Sequence, residues 1–273
     1  MSFHRSFRDE AIPPLTSAGN LLNRNGRRFL LRATEFEDYR RADNFDSKLR
    51  LMADFGELKQ AGINTLLMGV RSADSTLDLC ALAGLYAIVE IQADPAAILD
   101  RRGLRRVLSR FETSARDLAG RPALSGFLIN CPLDPPTIRF HGPARIRNVI
   151  GALIDVIRAT SCGNSFVAVR TRLPEPILAP FDEDLTYVTT AGLDVSAIRK
   201  AIDSARGGSG KRPSHNRPII VELCGMHGGM HAEDPDLIAS LTADGVAGFV
   251  HRASLIEQDP RGVQVSASAL SHA

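Results

Sequence analysis

The amino-acid sequence predicts an α/β protein folded as a (β/α)8 TIM barrel, with an eighth helix that is short or missing. Three observations carry this. Apolar segments of strand length recur along the chain and read as near-continuous rather than alternating, as strands covered on both faces do. Amphipathic stretches lie between most of them, so the strands are parallel. Eight such units fall within roughly 250 residues, the size of one closed barrel. An open doubly wound sheet competes with this reading, but no glycine-rich phosphate loop follows the first strand. The expected layout is an N-terminal extension over 1–24, the barrel over 25–252 and a C-terminal tail over 253–273.

Each element has its own signal. Phe29 to Phe36 reads as a strand, and Ser47 to Ala61 as a helix ending at Gly62. Asn64 to Val70 is a strand, and Ala73 to Ala83 a helix stopped by Gly84. Leu85 to Gln92 is a strand, and Leu99 to Leu118 a long arginine-rich helix closed by Gly120. Leu124 to Asn130 is a strand; Pro143 to Ala159 carries Ile146, Val149, Ile150, Leu153, Ile154 and Ile157 at helical spacing. Ser165 to Thr171 is a strand followed by a proline-broken turn (Pro174, Pro176, Pro180) instead of a full helix. Leu185 to Thr190 is a strand and Val195 to Ala205 a helix. A polar loop from Gly207 to Asn216 leads to the strand Pro218 to Leu223, the helix Asp234 to Ala243 and a last strand, Val246 to His251.

The totals exclude several classes. Lys plus Arg number 33 against 31 Asp plus Glu, a net charge of +2, so no global field favours nucleic acid. The arginines at 101, 102, 105 and 106 read as a solvated helix face. No stretch has the length of a membrane span and no secretion signal follows Met1, so the expected location is cytoplasmic. Cys80, Cys131, Cys162 and Cys224 lack paired spacing and are expected as free thiols. The chain has no tryptophan and three tyrosines, which argues against a strong groove for stacking sugar faces.

Two strand tips carry the chemistry. Gly126 to Pro132 ends in Asn130-Cys131, and Pro218 to Leu223 ends in a carboxylate, Glu222. Active sites of parallel barrels lie at such ends. Glu35 on the first strand, Glu90 on the third and Asp134 just after Cys131 are further carboxylates from the same side. Cys131 reads as a small buried hydrophobe. A zinc site from Cys131, Cys224, His141, His227, His231 and His251 is a separate hypothesis, but Gly228-Gly229 and the irregular spacing favour exposed loop histidines. Gly207 to Lys211 lacks the full phosphate-loop spacing. No metal or cofactor is expected.

Specific runs resemble a known family. Asn25-Gly26-Arg27-Arg28-Phe29-Leu30-Leu31-Arg32, Ala61-Gly62-Ile63-Asn64-Thr65, Ala83-Gly84-Leu85-Tyr86, Ala119 to Leu124 and Arg217 to Glu222 are similar, in order and spacing, to a glycoside hydrolase family 2 catalytic barrel. The bacterial version found beside or fused to processive glycosyltransferases is the one it most resembles. That resemblance implies Glu222 at the nucleophile position, Asn130 at the family's asparagine, and Cys131 where the acid/base glutamate should stand. Asn130, Glu35, Glu90 and His251, by their places at the mouth, are the expected substrate-binding positions, and Glu35, Glu90 or Asp134 could stand in for the missing acid. Where the family has an arginine on strand two this chain has Leu67 and its neighbours; Thr189 to Ala191 replace a tyrosine near the end of strand six, and Phe249-Val250-His251-Arg252 a terminal tryptophan.

The resemblance therefore implies a glycoside hydrolase-like barrel with degenerate hydrolytic machinery. It would bind a carbohydrate ligand, or regulate a polysaccharide-synthesis partner such as a glycosyltransferase. Two alternatives stay open: an active retaining β-glycosidase using Glu222, and the metal-dependent Cys/His site.

Overall fold

The computed structural model describes residues 12–36, 45–161, 165–170, 183–190, 193–207, 217–224 and 235–252. The chain opens with a three-stranded antiparallel sheet, β1 (Leu15–Ala18), β2 (Leu21–Arg24) and β3 (Arg27–Phe29). Asn25 and Gly26 make the β2–β3 turn with φ of 52° and 74°, the left-handed pair a two-residue hairpin loop requires.

The strand expected over 29–36 divides at Leu30. β3 ends at Phe29 and the barrel begins with β4 (Leu31–Phe36). Asn64 holds the break: its Nδ2 donates to the Leu30 carbonyl at 2.8 Å, and its Oδ1 accepts from the Arg32 amide at 2.9 Å. The chain continues through α1 (Phe45–Gln60), β5 (Thr65–Gly69), α2 (Val70–Ala83) and β6 (Tyr86–Gln92). The long helix expected over 99–118 is two, α3 (Pro95–Leu99) and α4 (Arg101–Leu118). Asp100 separates them by leaving helical geometry and capping α4, accepting from the Gly103 amide at 2.6 Å.

β7 (Leu124–Asn130) has the expected bounds and leads into an unexpected short helix, α5 (Pro135–His141), then α6 (Pro143–Ser161). β8 (Phe166–Arg170), β9 (Leu185–Thr189), α7 (Val195–Gly207), β10 (Ile219–Cys224), α8 (Pro235–Ala243) and β11 (Gly248–Arg252) complete the described elements. The proline-rich turn, most of the 207–216 loop and the tail after 252 lie outside the described residues.

Strands β4 to β11 close into one parallel barrel, in which β11 pairs back onto β4 and each of the others pairs with its neighbour in sequence. Alternation along each strand sorts the apolar residues into two layers. Leu31, Ala33, Leu67, Ile88, Leu128 and Ile220 fill the barrel interior. Phe55, Phe111, Phe127, Ile150, Val221 and Phe249 pack between strands and helices. Leu22 of the small sheet belongs to the interior layer and is fully buried, so the sheet plugs the N-terminal end of the barrel. At Gly248 an added Cβ would stand 2.5 Å from that of Leu31, so the strands meet there only because the side chain is missing.

Candidate functional site

The alternation that buries Ile88, Leu128, Ala168, Leu185 and Ile220 inside the barrel carries the next inward positions to the C-terminal mouth. Those positions are Glu90, Asn130, Arg170, Tyr187 with Thr189, and Glu222, from five consecutive strands. They form one connected polar network.

Glu222 is its centre and is fully buried. Arg170 Nη2 donates to Glu222 Oε1 at 2.6 Å, Thr189 Oγ1 donates to the same oxygen at 3.3 Å, and the Tyr187 hydroxyl donates to Oε2 at 2.7 Å. The Glu222 carbonyl accepts from the Thr190 hydroxyl at 2.7 Å, which fixes the strand tip. Burial pushes the Tyr187 hydroxyl well above its ordinary pKa, and the adjoining Glu222 carboxylate pushes the same way, so it stays a donor. Burial opposes the Arg170 charge, but the Glu222 and Glu90 carboxylates outweigh it and hold the guanidinium above its usual range.

Glu90 stands on the other side of Arg170. Its Oε1 accepts from Asn130 Nδ2 at 2.7 Å, and its Oε2 lies 3.9 Å from Arg170 Nη1. One guanidinium thus reaches both carboxylates. Burial raises the Glu90 pKa and the Glu222 charge adds to this; the bonds from Asn130 and Arg170 oppose it.

Cys131 is not part of this network. It follows Asn130 by one residue, so it turns to the opposite face and packs in the outer layer with Phe127 and Ile129. Burial, with Asp94 nearby, pushes its thiol up to about 12. At neutral pH it is a protonated, enclosed thiol, with neither the access nor the acidity to exchange protons with a bound substrate. Asp134 caps α5, accepting from the Thr137 amide at 2.7 Å, and its hydrogen bonds with Thr137 hold its carboxyl below the ordinary pKa.

A cavity of about 480 Å³ opens on the other arc of the mouth, lined by Glu35, Leu67, Gly69, Glu90, Gln92 and Arg252 among others. Arg252 Nη2 binds Glu35 Oε1 at 2.6 Å across it. Glu222, Arg170, Asn130 and Tyr187 do not line this space. His251 alternates with Arg252 and so shares the outer face of β11 with Phe249. Of the expected substrate positions, the structure brings Glu35 and Glu90 to the cavity, ties Asn130 to Glu90, and turns His251 the other way.

Two network members, Arg170 and Tyr187, are not among the site residues expected from the sequence. Tyr187, two residues before the Thr189–Ala191 segment, bonds Glu222. Arg170 on the fifth strand pairs with Glu222, while Leu67 on the second is a core residue. Arg170 carried the same signal as Glu222, a single charge ending an apolar strand.

Among the described residues, no three His, Cys, Asp or Glu side chains converge to hold a metal ion. His227, His231 and the Cys224 side chain lie outside them. No helix among the described residues is long and apolar enough to cross a membrane.

The described elements define a closed (β/α)8 barrel with a polar mouth. No family model matches the chain, and no curated protein matches it. Solved structures do. Bifidobacterium dentium β-glucuronidase complexed with coumarin-3-O-glucuronide aligns with a TM-score of 0.62 at 16% identity, covering 87% of this chain and 42% of that one. Parabacteroides merdae β-glucuronidase aligns with a TM-score of 0.59 at 16% identity, over 86% and 33%. A family 5 glycoside hydrolase from Bacteroides vulgatus aligns with a TM-score of 0.58 at 11% identity, over 88% and 62%. The chain thus spans less than half the length of either β-glucuronidase, and the likeness at this identity is one of fold.

Proposed function

We propose that this chain is a glycoside hydrolase-like barrel that binds a glycan at its mouth and hydrolyses it poorly or not at all. In this reading it serves as a binding or regulatory partner in polysaccharide synthesis, beside a glycosyltransferase. The observation that carries the reading is the separation of space from chemistry. The cavity is lined by Glu35, Glu90 and Arg252, while Glu222 is buried outside it with both oxygens engaged. A retaining mechanism needs two carboxyl groups about 5–5.5 Å apart with the sugar between them. Here the guanidinium of Arg170 stands between Glu222 and Glu90. At the acid/base position Cys131 faces the helices, and losing general acid help typically costs about 10²–10⁴ in rate. The carbohydrate ligand is supported by the fold likeness to glycoside hydrolases, one of them holding a glucuronide.

A second reading has one observation in its favour. Arg170 and Tyr187 hold Glu222 as a fixed carboxylate, and the raised pKa of Glu90 is the shift a general acid requires. An active retaining β-glycosidase would then pair Glu222 with Glu90. Activated aryl β-glycosides, whose leaving groups need little protonation, separate the two. Our reading expects ligand binding without sustained aryl release across a broad sugar panel. Turnover of natural oligosaccharides, lost in Glu90→Gln and in Glu222→Gln, would establish the second reading instead.

A further inference from the structure

Helix α4 carries six arginines: Arg101, Arg102, Arg105, Arg106, Arg110 and Arg116. Only Arg116 forms an ion pair among the described residues, with Glu112 on the same helix. Arg105, Arg106, Ser109, Arg110, Thr113 and Ser114 line a shallow, open groove along one exposed side of this helix. Arg110 and Ser114 also line the mouth cavity, so groove and cavity adjoin. Arg110 donates to the Gln92 carbonyl at the tip of β6, which fixes it on the shared rim. From Arg105 to Ser114 the helix advances about 14 Å at 1.5 Å per residue, a length suited to an oligosaccharide.

The lining of the groove has guanidinium forks and hydroxyls, with no carboxylate and no aromatic ring. Guanidinium groups match carboxylate or sulfate groups in two-point hydrogen bonds, and hydroxyls match neighbouring sugar hydroxyls. Neutral pyranose faces want aromatic platforms. The chain has no tryptophan, and Phe36 is the one ring lining the cavity among the described residues. The cavity sets Arg71, Arg110 and Arg252 against the carboxylates of Glu35 and Glu90, so the α4 side is where an anionic glycan fits better than a neutral one.

We propose that the α4 groove and the mouth cavity form one continuous site for an acidic polysaccharide bearing carboxylate or sulfate groups, with Arg105, Arg106 and Arg110 as its anion contacts. This rests on the reading that the mouth takes a glycan. Nucleic acid is disfavoured by the net charge of +2 and by the lack of rings for base stacking along the groove.

Fluorescence anisotropy of the full chain with labelled oligogalacturonate tests it, beside a cello-oligosaccharide of equal length, a DNA duplex and poly-L-glutamate. The expected result is salt-sensitive binding of the oligogalacturonate, weakened about tenfold or more by Arg105→Ala/Arg106→Ala and only partly restored by the double lysine variant. Both arginines are exposed, so these variants fold. Unchanged affinity in the double alanine variant overturns the proposal. So does equal or tighter binding of the cello-oligosaccharide, the duplex or poly-L-glutamate. Cleavage of the bound oligogalacturonate would instead overturn the non-hydrolytic reading and leave the acidic-glycan site standing.

Discussion

The two arcs of the barrel mouth are built on opposite principles. From the third strand to the seventh, Glu90, Asn130, Arg170, Tyr187 and Glu222 are joined by hydrogen bonds and ion pairs into one network. Round the first, second, third and eighth strands, Glu35, Leu67, Gly69 and Arg252 border open space. Glu90 alone belongs to both. The difference is that, among the described residues, Glu222 meets protein partners while Glu35 borders the cavity. A cation and two hydroxyls surround Glu222, and in the proposed reading its charge holds strands together.

The strongest way to break this comparison is to open the closed arc. Arg170→Met leaves Glu222 buried without its cation, and the expected loss is about 3–5 kcal/mol in urea unfolding. A loss under about 1 kcal/mol would mean that Glu222 is hydrated and reachable. Tyr187→Phe removes one donor from Oε2 and is expected to cost about 1–3 kcal/mol by the same measurement. Cys131→Ala tests the layer behind the mouth. It should cost about 1 kcal/mol of packing and leave glycan affinity unchanged, because the thiol faces the helices.

The smallest effect is a slope with pH. The folded-state pKa of Glu90 lies above its ordinary value of 4.5, so the native state holds its proton more tightly than the unfolded chain. Stability from this group is full below 4.5 and is lost as pH rises through the folded value. Unfolding measured from acid to neutral pH should show that decline in the wild type and a flatter profile in Glu90→Gln. Parallel profiles would place Glu90 in ordinary solvent.

Much of this was legible in the sequence, for identifiable reasons. β7 and α6 announce themselves because apolar periodicity and flanking glycine or proline agree there. The α3–α4 break was written in Asp100, a capping residue overlooked inside a longer amphipathic run. The N-terminal sheet was likewise signalled by Asn25-Gly26, the commonest two-residue hairpin pair. At the mouth, Glu222 stood out as a charge ending an apolar strand, and Arg170 had the same mark. What no local pattern gives is the meeting of Arg170 with both Glu222 and Glu90, since strands three, five and seven converge only when the barrel closes. Nor does spacing tell that Asn130 turns inward and Cys131 outward until the register of β7 is fixed by its neighbours.

The central claim is that Glu222 holds the barrel mouth together and does not attack a sugar. Intact-protein mass spectrometry after incubation with activated 2-deoxy-2-fluoro aryl β-glycosides, over a panel that includes uronic acid sugars, tests it most directly. The account predicts unmodified protein with no stoichiometric burst of aryl release. A single glycosyl adduct mapped to Glu222, absent in Glu222→Gln, would contradict it.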